Sequence, residues 1–106
     1  MQAADDALYR MDMTARHSSG RRISAHIVIG RPYISDHGKT HQCDYVLDVD
    51  RRFEDSAPGG NAIQALEHCL IKIRVILTHR YSEYEFHDEQ GNKLFFDYGR
   101  VGGPDG

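Results

Sequence analysis

The stretch NAIQALEHCLIKIRVILTHR, residues 61–80, decides the fold. Its aliphatic residues recur at spacings of three and four, which is the period of an amphipathic helix. Asn61 stands at the N-cap position and Gln64 follows three residues later, a variant of the capping box. His79 and Arg80 suit the negative end of the helix dipole. The pattern predicts one helix from about Ala62 to about His79, with a buried stripe of Leu66, Cys69, Leu70, Ile73, Ile76 and Leu77.

Upstream of this helix the period changes to two. Residues 7–16 alternate weakly and residues 22–29 strongly, on either side of the turn residues Ser18-Ser19-Gly20. This pattern predicts a β-hairpin that ends at Gly30-Arg31-Pro32, because proline cannot donate to an interior ladder. We expect a polar loop over residues 34–40. The next strand would bury alternate residues: Cys43, Tyr45, Leu47 and Val49.

Breaker residues fill the segment FEDSAPGG, residues 53–60, which predicts a loop before the helix. After the helix, Tyr84 and Phe86 precede the turn EQGN, residues 89–92, and Leu94 and Phe96 follow it, which predicts a second hairpin. The expected fold is α+β: an antiparallel sheet in the order β-β-β-α-β-β with the helix packed on one face. We expect a single domain over residues 7–98, with flexible ends at residues 1–6 and 99–106.

Composition narrows the classes of function. The chain has 106 residues and a formal net charge of −3. Residues 41–106 carry twelve acidic and seven basic side chains, so the basic stripe of a duplex-binding protein is missing and direct nucleic-acid binding is not expected. No apolar run approaches the roughly 20 residues that span a bilayer, so no membrane association is expected. Residues 1–10 are acidic and contain no apolar h-region, so we expect no secretory signal and a cytoplasmic location with two free thiols.

Seven histidines raise the question of a metal site. The densest group is His37, His41 and Cys43, spaced H-x3-H-x-C. Histidine and cysteine are residue types that bind zinc. A structural zinc site usually needs a fourth ligand, and no C-x2-C occurs here. We therefore expect solvated loop histidines, no cofactor and no catalytic residues, with a metal site or a small metal-dependent hydrolase as the alternative.

One feature of the helix indicates a contact surface. Ile71 and Val75 fall on the side opposite the predicted stripe, beside His68 and Gln64. Scattered exposed aliphatic residues are normal, so chance exposure is the alternative. The acidic residues form two patches that would suit a basic protein partner. The first patch is Asp44, Asp48, Asp50, Glu54 and Asp55, and the second is Glu83, Glu85, Asp88 and Glu89.

The segments IVIGRP (residues 27–32), DYVLDV (44–49) and NAIQALEHCLIKIRVIL (61–77) resemble a family of small proteobacterial proteins with no assigned activity. Members pair an I-G-x-P strand end with a tyrosine-bearing strand and a Q-A-L-x-x-x-L-x-x-I-R helix. The resemblance covers residues 22–98 by order of elements and implies an α+β domain, but no functional residue. The Gly59-Gly60 pair and the segment before it depart from the family pattern.

The leading hypothesis from these observations is a non-enzymatic protein-binding protein, such as an immunity protein that neutralises a basic bacterial toxin. The alternatives are a phage-type inhibitor of a nucleic-acid enzyme, a structural homodimer and the metal-binding protein.

Overall fold

Five strands, one helix and two further strands follow one another in the computed structural model, which describes residues 7–35 and 38–96. They are β1 (Ala7–His17), β2 (Arg22–Gly30), β3 (Tyr33–Ile34), β4 (His41–Asp48), β5 (Arg52–Gly59), α1 (Ala62–His79), β6 (Tyr84–His87) and β7 (Lys93–Leu94). All strand pairs are antiparallel. The predicted α+β class is confirmed, whereas the predicted ends at residues 1–6 and 99–106 lie outside the described residues.

The predicted first hairpin is present, formed by β1 and β2. Met13 pairs with Ala25 and Ala15 with Ile23 across β1 and β2. Gly20, at φ +99°, completes the turn, and its N–H donates to the His17 carbonyl at 2.8 Å. A positive φ is accessible to glycine without a steric penalty, so the turn needs this residue. The inward-facing side chains of both strands are buried, as the alternation predicted: Met13, Ala15, Ala25, Ile27 and Ile29.

Parts of two segments that we expected to be loop are strand instead: Ile34, from the loop predicted over residues 34–40, and residues 53–59, from the loop predicted over residues 53–60. Tyr33 and Ile34 form β3, which continues the line of β2 along β4 after the break at Pro32. The larger correction is β5, which replaces the predicted loop over residues 53–60 and pairs with β4 along its whole length, from Asp48↔Arg52 to His41↔Gly59. Since β5 pairs only with β4 among the described strands, it is an edge strand, and an edge strand tolerates the missing N–H of Pro58.

The helix α1 lies over β4 and β5. The Asn61 side chain caps it by accepting the Gln64 N–H at 2.8 Å, and the Gln64 side chain accepts the Gly60 N–H. The buried line has a spacing of four residues: Ala65, Cys69, Ile73 and Leu77. Leu66 and Ile76 are half-buried beside it, but Leu70 is 41% exposed, so the predicted stripe was wrong at Leu70. The small Ala65 takes part in the buried line because α1 approaches β5 closely there.

The second hairpin closes the other edge of the sheet. Phe86 pairs with Leu94, and Gly91 stands in the turn at φ +88°. From one edge to the other the sheet runs β5-β4-β2-β1-β6-β7, and β3 pairs with β4 on the same side as β2. The predicted second hairpin is confirmed as far as Leu94. Phe96, the other apolar residue predicted after the turn, is partly buried against the core, which also contains Phe86 and Tyr81.

One face of the sheet is not covered by α1, and we call it the open sheet face. It carries the alternate residues of each strand, mostly polar, with Val28 and Val46 paired at its centre. Both valines are at most 5% exposed, although they lie on the predicted polar face. Their outer cross-strand neighbours are Arg10 and Glu54.

Candidate functional site

Aliphatic side chains cover the solvent side of α1. Ile63 is 72% exposed, Ile71 47%, Val75 42% and Leu70 41%. Positions three and four apart share one side of a helix, so these residues and Glu67 form one surface, which we call the outer helix face. The predicted exposure of Ile71 and Val75 is confirmed. Leu70 and Ile63 extend the surface in a way that the sequence reading missed, because it assigned Leu70 to the buried stripe.

Glu67 lies within the outer helix face, one turn from both Ile63 and Ile71. It is exposed and forms no ion pair with any residue that the structure describes. By contrast, the exposed strand carboxylates of Asp12, Glu54 and Asp55 each lie within 3.4 Å of a basic side chain. The outer helix face therefore combines exposed aliphatic groups with an unneutralised negative charge.

His68 and Lys72 lie on the flank of α1 that faces β5. His68 Nδ1 is 2.7 Å from the Pro58 carbonyl oxygen, and the Lys72 ammonium donates to the Ser56 carbonyl at 3.0 Å. Lys72 also lies 3.4 Å from the Asp55 carboxylate. Both side chains thus fasten α1 to the edge strand. His68, predicted as a partner-binding residue, is held by the chain's own backbone.

The first acidic patch is divided between the two sides of the sheet. Asp44, Asp48 and Glu54 lie on the open sheet face, Asp55 on the helix side and Asp50 in the β4–β5 turn. Asp44 accepts the Tyr33 hydroxyl at 3.0 Å, and Asp48 lies 3.3 Å from the His26 ring. The Arg52 guanidinium, 2.6 Å from Glu54, lowers the pKa of that carboxyl.

The second acidic patch lies across the sheet, on the far side of β2 and β1. Glu83 contacts the His17 ring at 3.0 Å. Glu85 lies 3.1 Å from Lys93 and 3.3 Å from His87, and these hydrogen bonds lower its pKa. Most of the predicted acidic residues are therefore bound within the chain, and the fold does not bring the two patches together.

The proposed metal ligands are only partly visible. His37 lies outside the described residues, while His41 and Cys43 share the helix-facing side of β4. The Cys43 thiol donates to the Gly30 carbonyl at 3.5 Å, and burial raises its pKa. Within residues 7–35 and 38–96 no three histidine, cysteine or acidic side chains are grouped as metal ligands.

A cleft that the sequence reading missed lies at the C-terminal end of α1. Its volume is about 610 Å³, and we call it the arginine cleft. Three arginines from distant parts of the chain lie around it, so no local sequence motif predicts the cleft. The residues lining the cleft are His17, Arg21, Asp50, Arg51, Arg80, Tyr81 and Tyr84.

Comparisons with known proteins identify no relative. No protein-family model, curated protein or solved structure matches the chain. The resemblance to the small proteobacterial family therefore stays a prediction. In the described part of the chain, no helix has the length and apolar character needed to cross a membrane.

Proposed function

We propose that this chain is a non-enzymatic protein-binding protein that contacts its partner through the outer helix face. The observation that carries the proposal is the exposure of Ile63, Leu70, Ile71 and Val75, each at least 41%, on one side of one helix. Monomeric domains seldom group several large aliphatic side chains on a single exposed surface without a binding role.

The helix is a rigid platform for such a contact. Its N-terminus is capped by Asn61, its inner side is buried along four turns, and His68 and Lys72 tie its flank to β5. A partner would therefore contact residues whose backbone is already ordered before binding. Preorganisation of this kind increases affinity because fewer groups must be ordered.

The outer helix face supplies the apolar centre of an interface. Removing a Leu, Ile or Val side chain from water stabilises a complex by about 1.5–3 kcal/mol when it passes from fully exposed to fully buried. These four side chains start half-exposed, so each contributes less. A stable interface of roughly 800 Å² per partner would need polar residues around them as its rim.

The charge on this surface favours a basic partner. Glu67 has no ion-pair partner among the described residues. Burying its carboxylate against a neutral partner would remove its hydration and replace it with no other interaction, which weakens binding. A lysine or arginine of the partner would restore that interaction. The formal net charge of −3 adds a weaker attraction of the same sign. We infer that the partner is a basic protein, and that the chain acts as an immunity protein that neutralises a toxin in the cytoplasm.

The test uses the full chain and two matched variants. Tagged wild-type protein is purified from the cells that encode it, and a stoichiometric basic protein is sought by mass. That protein is then expressed alone and together with this chain. Growth arrest that wild type relieves and that Ile71→Lys/Val75→Lys does not relieve supports the proposal.

Ile34→Lys is the control, because Ile34 is 58% exposed on β3, away from α1. It should protect as well as wild type, while circular dichroism shows that all three proteins are folded. Protection by the double variant equal to that of wild type would contradict the proposed surface. A wild-type chain that is dimeric by sedimentation, becomes monomeric in the double variant and binds no basic protein would instead assign this surface to a second copy.

A further inference from the structure

We propose that the arginine cleft binds a small phosphate-bearing anion, at a site separate from the outer helix face. Four parts of the chain supply its walls. They are the end of β1 with the turn after it, the β4–β5 turn, the residues that end α1, and the start of β6.

The cleft is held in place by contacts among its own lining residues. The Arg21 guanidinium donates to the Tyr84 hydroxyl at 3.2 Å. The Tyr84 ring lies edge-on to both His17 and Tyr81, with centroids 5.0 and 5.9 Å apart. Tyr81 is only 5% exposed. The aromatic wall is therefore part of the packed domain, and the arginines project from a fixed frame.

Arg80 is positioned by contacts of both its backbone and its side chain. Its backbone N–H donates to the Ile76 carbonyl at 2.8 Å as the C-cap of α1. Its guanidinium lies over the Phe53 ring, 4.9 Å from the centroid. This stacking leaves the edge of the guanidinium, where the N–H groups are, for another acceptor. The negative end of the α1 dipole is nearby, and the charge of Arg80 offsets it.

The charges in the cleft favour an anion. Among the described residues, none of Arg21, Arg51 and Arg80 forms an ion pair, whereas Arg10 and Arg52 each have a carboxylate within 3.1 Å. Asp50 is the single carboxylate in the described lining. An acidic chain thus concentrates three unneutralised guanidinium groups around one cleft. Guanidinium groups bind phosphate oxygens in a bidentate fork, which makes phosphate the matching ligand chemistry.

The size of the cleft fits a small molecule. Its volume of about 610 Å³ lies within the range of roughly 300–1,000 Å³ that is usual for ligand sites. Two sources of the phosphate fit this space: an inorganic polyphosphate, or a nucleotide whose base lies against the Tyr84 wall. Both use the same arginines.

The experiment is calorimetric titration of the full chain with pyrophosphate and, separately, with ADP at low salt. Wild type should bind at least one of them saturably at one site. Arg51→Gln and Arg21→Gln should each weaken binding by about tenfold or more, since each removes a charge-assisted hydrogen bond. Arg51 is in a turn, so its variant keeps the fold. Arg31→Gln, which removes an exposed charge between β2 and β3, should bind like wild type.

The two ligands separate the sources. ADP binding at least tenfold tighter than pyrophosphate assigns the site to a nucleotide, and equal binding assigns it to the phosphate alone. Two results would overturn the proposal: no saturable binding of either ligand, or weakening by Arg31→Gln equal to that by Arg51→Gln. Ile71→Lys/Val75→Lys should leave this binding unchanged, so failure of the cleft and failure of the outer helix face are distinguishable.

Discussion

Gly59 and Ala65 are in contact where the end of β5 meets the first turns of α1. A methyl group added at Gly59 would lie 2.7 Å from the Ala65 Cα atom, and the neighbouring atoms are backbone. The requirement for glycine is therefore steric, since its φ is not positive. This contact sets how closely α1 approaches the edge strand and explains why the small Ala65 stands in the buried line.

Gly59→Ala should therefore destabilise the domain. The backbone of α1 cannot yield as a flexible side chain would, so we expect a loss of about 1–3 kcal/mol, typical of overpacking. Gly60→Ala is the matched control, because its methyl group would meet only the end of the Gln64 side chain, at 3.0 Å. Urea denaturation of the two variants measures the difference. Equal free energies of unfolding for both would show that α1 is not fixed by this contact.

The same segment shows where sequence reasoning stopped. The helix and both hairpins were predictable because their apolar periods are regular and their turns contain glycine. The strand β5 was not, because Asp55 and Gly59 occupy helix-facing positions where an alternating pattern would show large apolar residues. Proline is also typical of loops, and β5 can contain Pro58 only because it lies at the edge of the sheet.

The candidate surfaces were partly predictable for a similar reason. Ile71 and Val75 stood out because helical geometry relates residues that are near in sequence. The arginine cleft joins Arg21, Arg51 and Arg80, which are about thirty residues apart. No local spacing relates them, and their proximity depends on strand order. Strand order follows from packing of the whole sheet, which a single sequence pattern does not specify.

The two cysteines should be inert in the native state. Cys43 and Cys69 are both fully buried, and burial raises the pKa of each thiol. Alkylation requires an accessible thiolate, so the folded protein should react only as fast as it opens. Titration with a thiol reagent should find two reactive groups in guanidinium chloride and almost none in buffer. Rapid reaction of one thiol in buffer would mean that the region beneath α1 opens locally.

The stability of the turn between β6 and β7 should depend on pH. The Asp88 carboxylate accepts the backbone N–H groups of Gln90 at 2.9 Å and Asn92 at 2.8 Å. These bonds favour the ionised form and lower the pKa of Asp88 below its ordinary value of 3.8. Because the folded-state pKa is the lower one, the contribution to stability is present above pH 3.8 and is lost as pH falls through the depressed value.

NMR titration of the Gln90 and Asn92 amide shifts measures this transition. Their midpoint should lie below 3.8 in wild type, and the transition should be absent in Asp88→Asn, which keeps an acceptor oxygen but no titratable proton. A midpoint at or above that value would mean that the turn does not hold the carboxylate in solution.

The flank of α1 should keep β5 from pairing with other chains. An edge strand offers unpaired backbone groups to any approaching strand. In β5, Pro58 has no N–H to offer, and the carbonyls of Ser56 and Pro58 already contact Lys72 and His68. His68→Ala/Lys72→Ala would release both carbonyls while leaving the buried line of α1 unchanged. We expect this variant to self-associate in a concentration-dependent manner, as measured by sedimentation velocity.

The control for that prediction is Lys39→Ala/His79→Ala, which removes the same two residue types from exposed positions that make no hydrogen bond to β5. It should remain in the same oligomeric state as wild type. Adding Pro58→Thr to the His68/Lys72 variant restores an edge N–H and should strengthen the association further. If His68→Ala/Lys72→Ala sediments like wild type at every concentration, protection of the edge comes from Pro58 and the charges of β5 alone. The contacts from α1 would then serve only to orient the helix on the sheet.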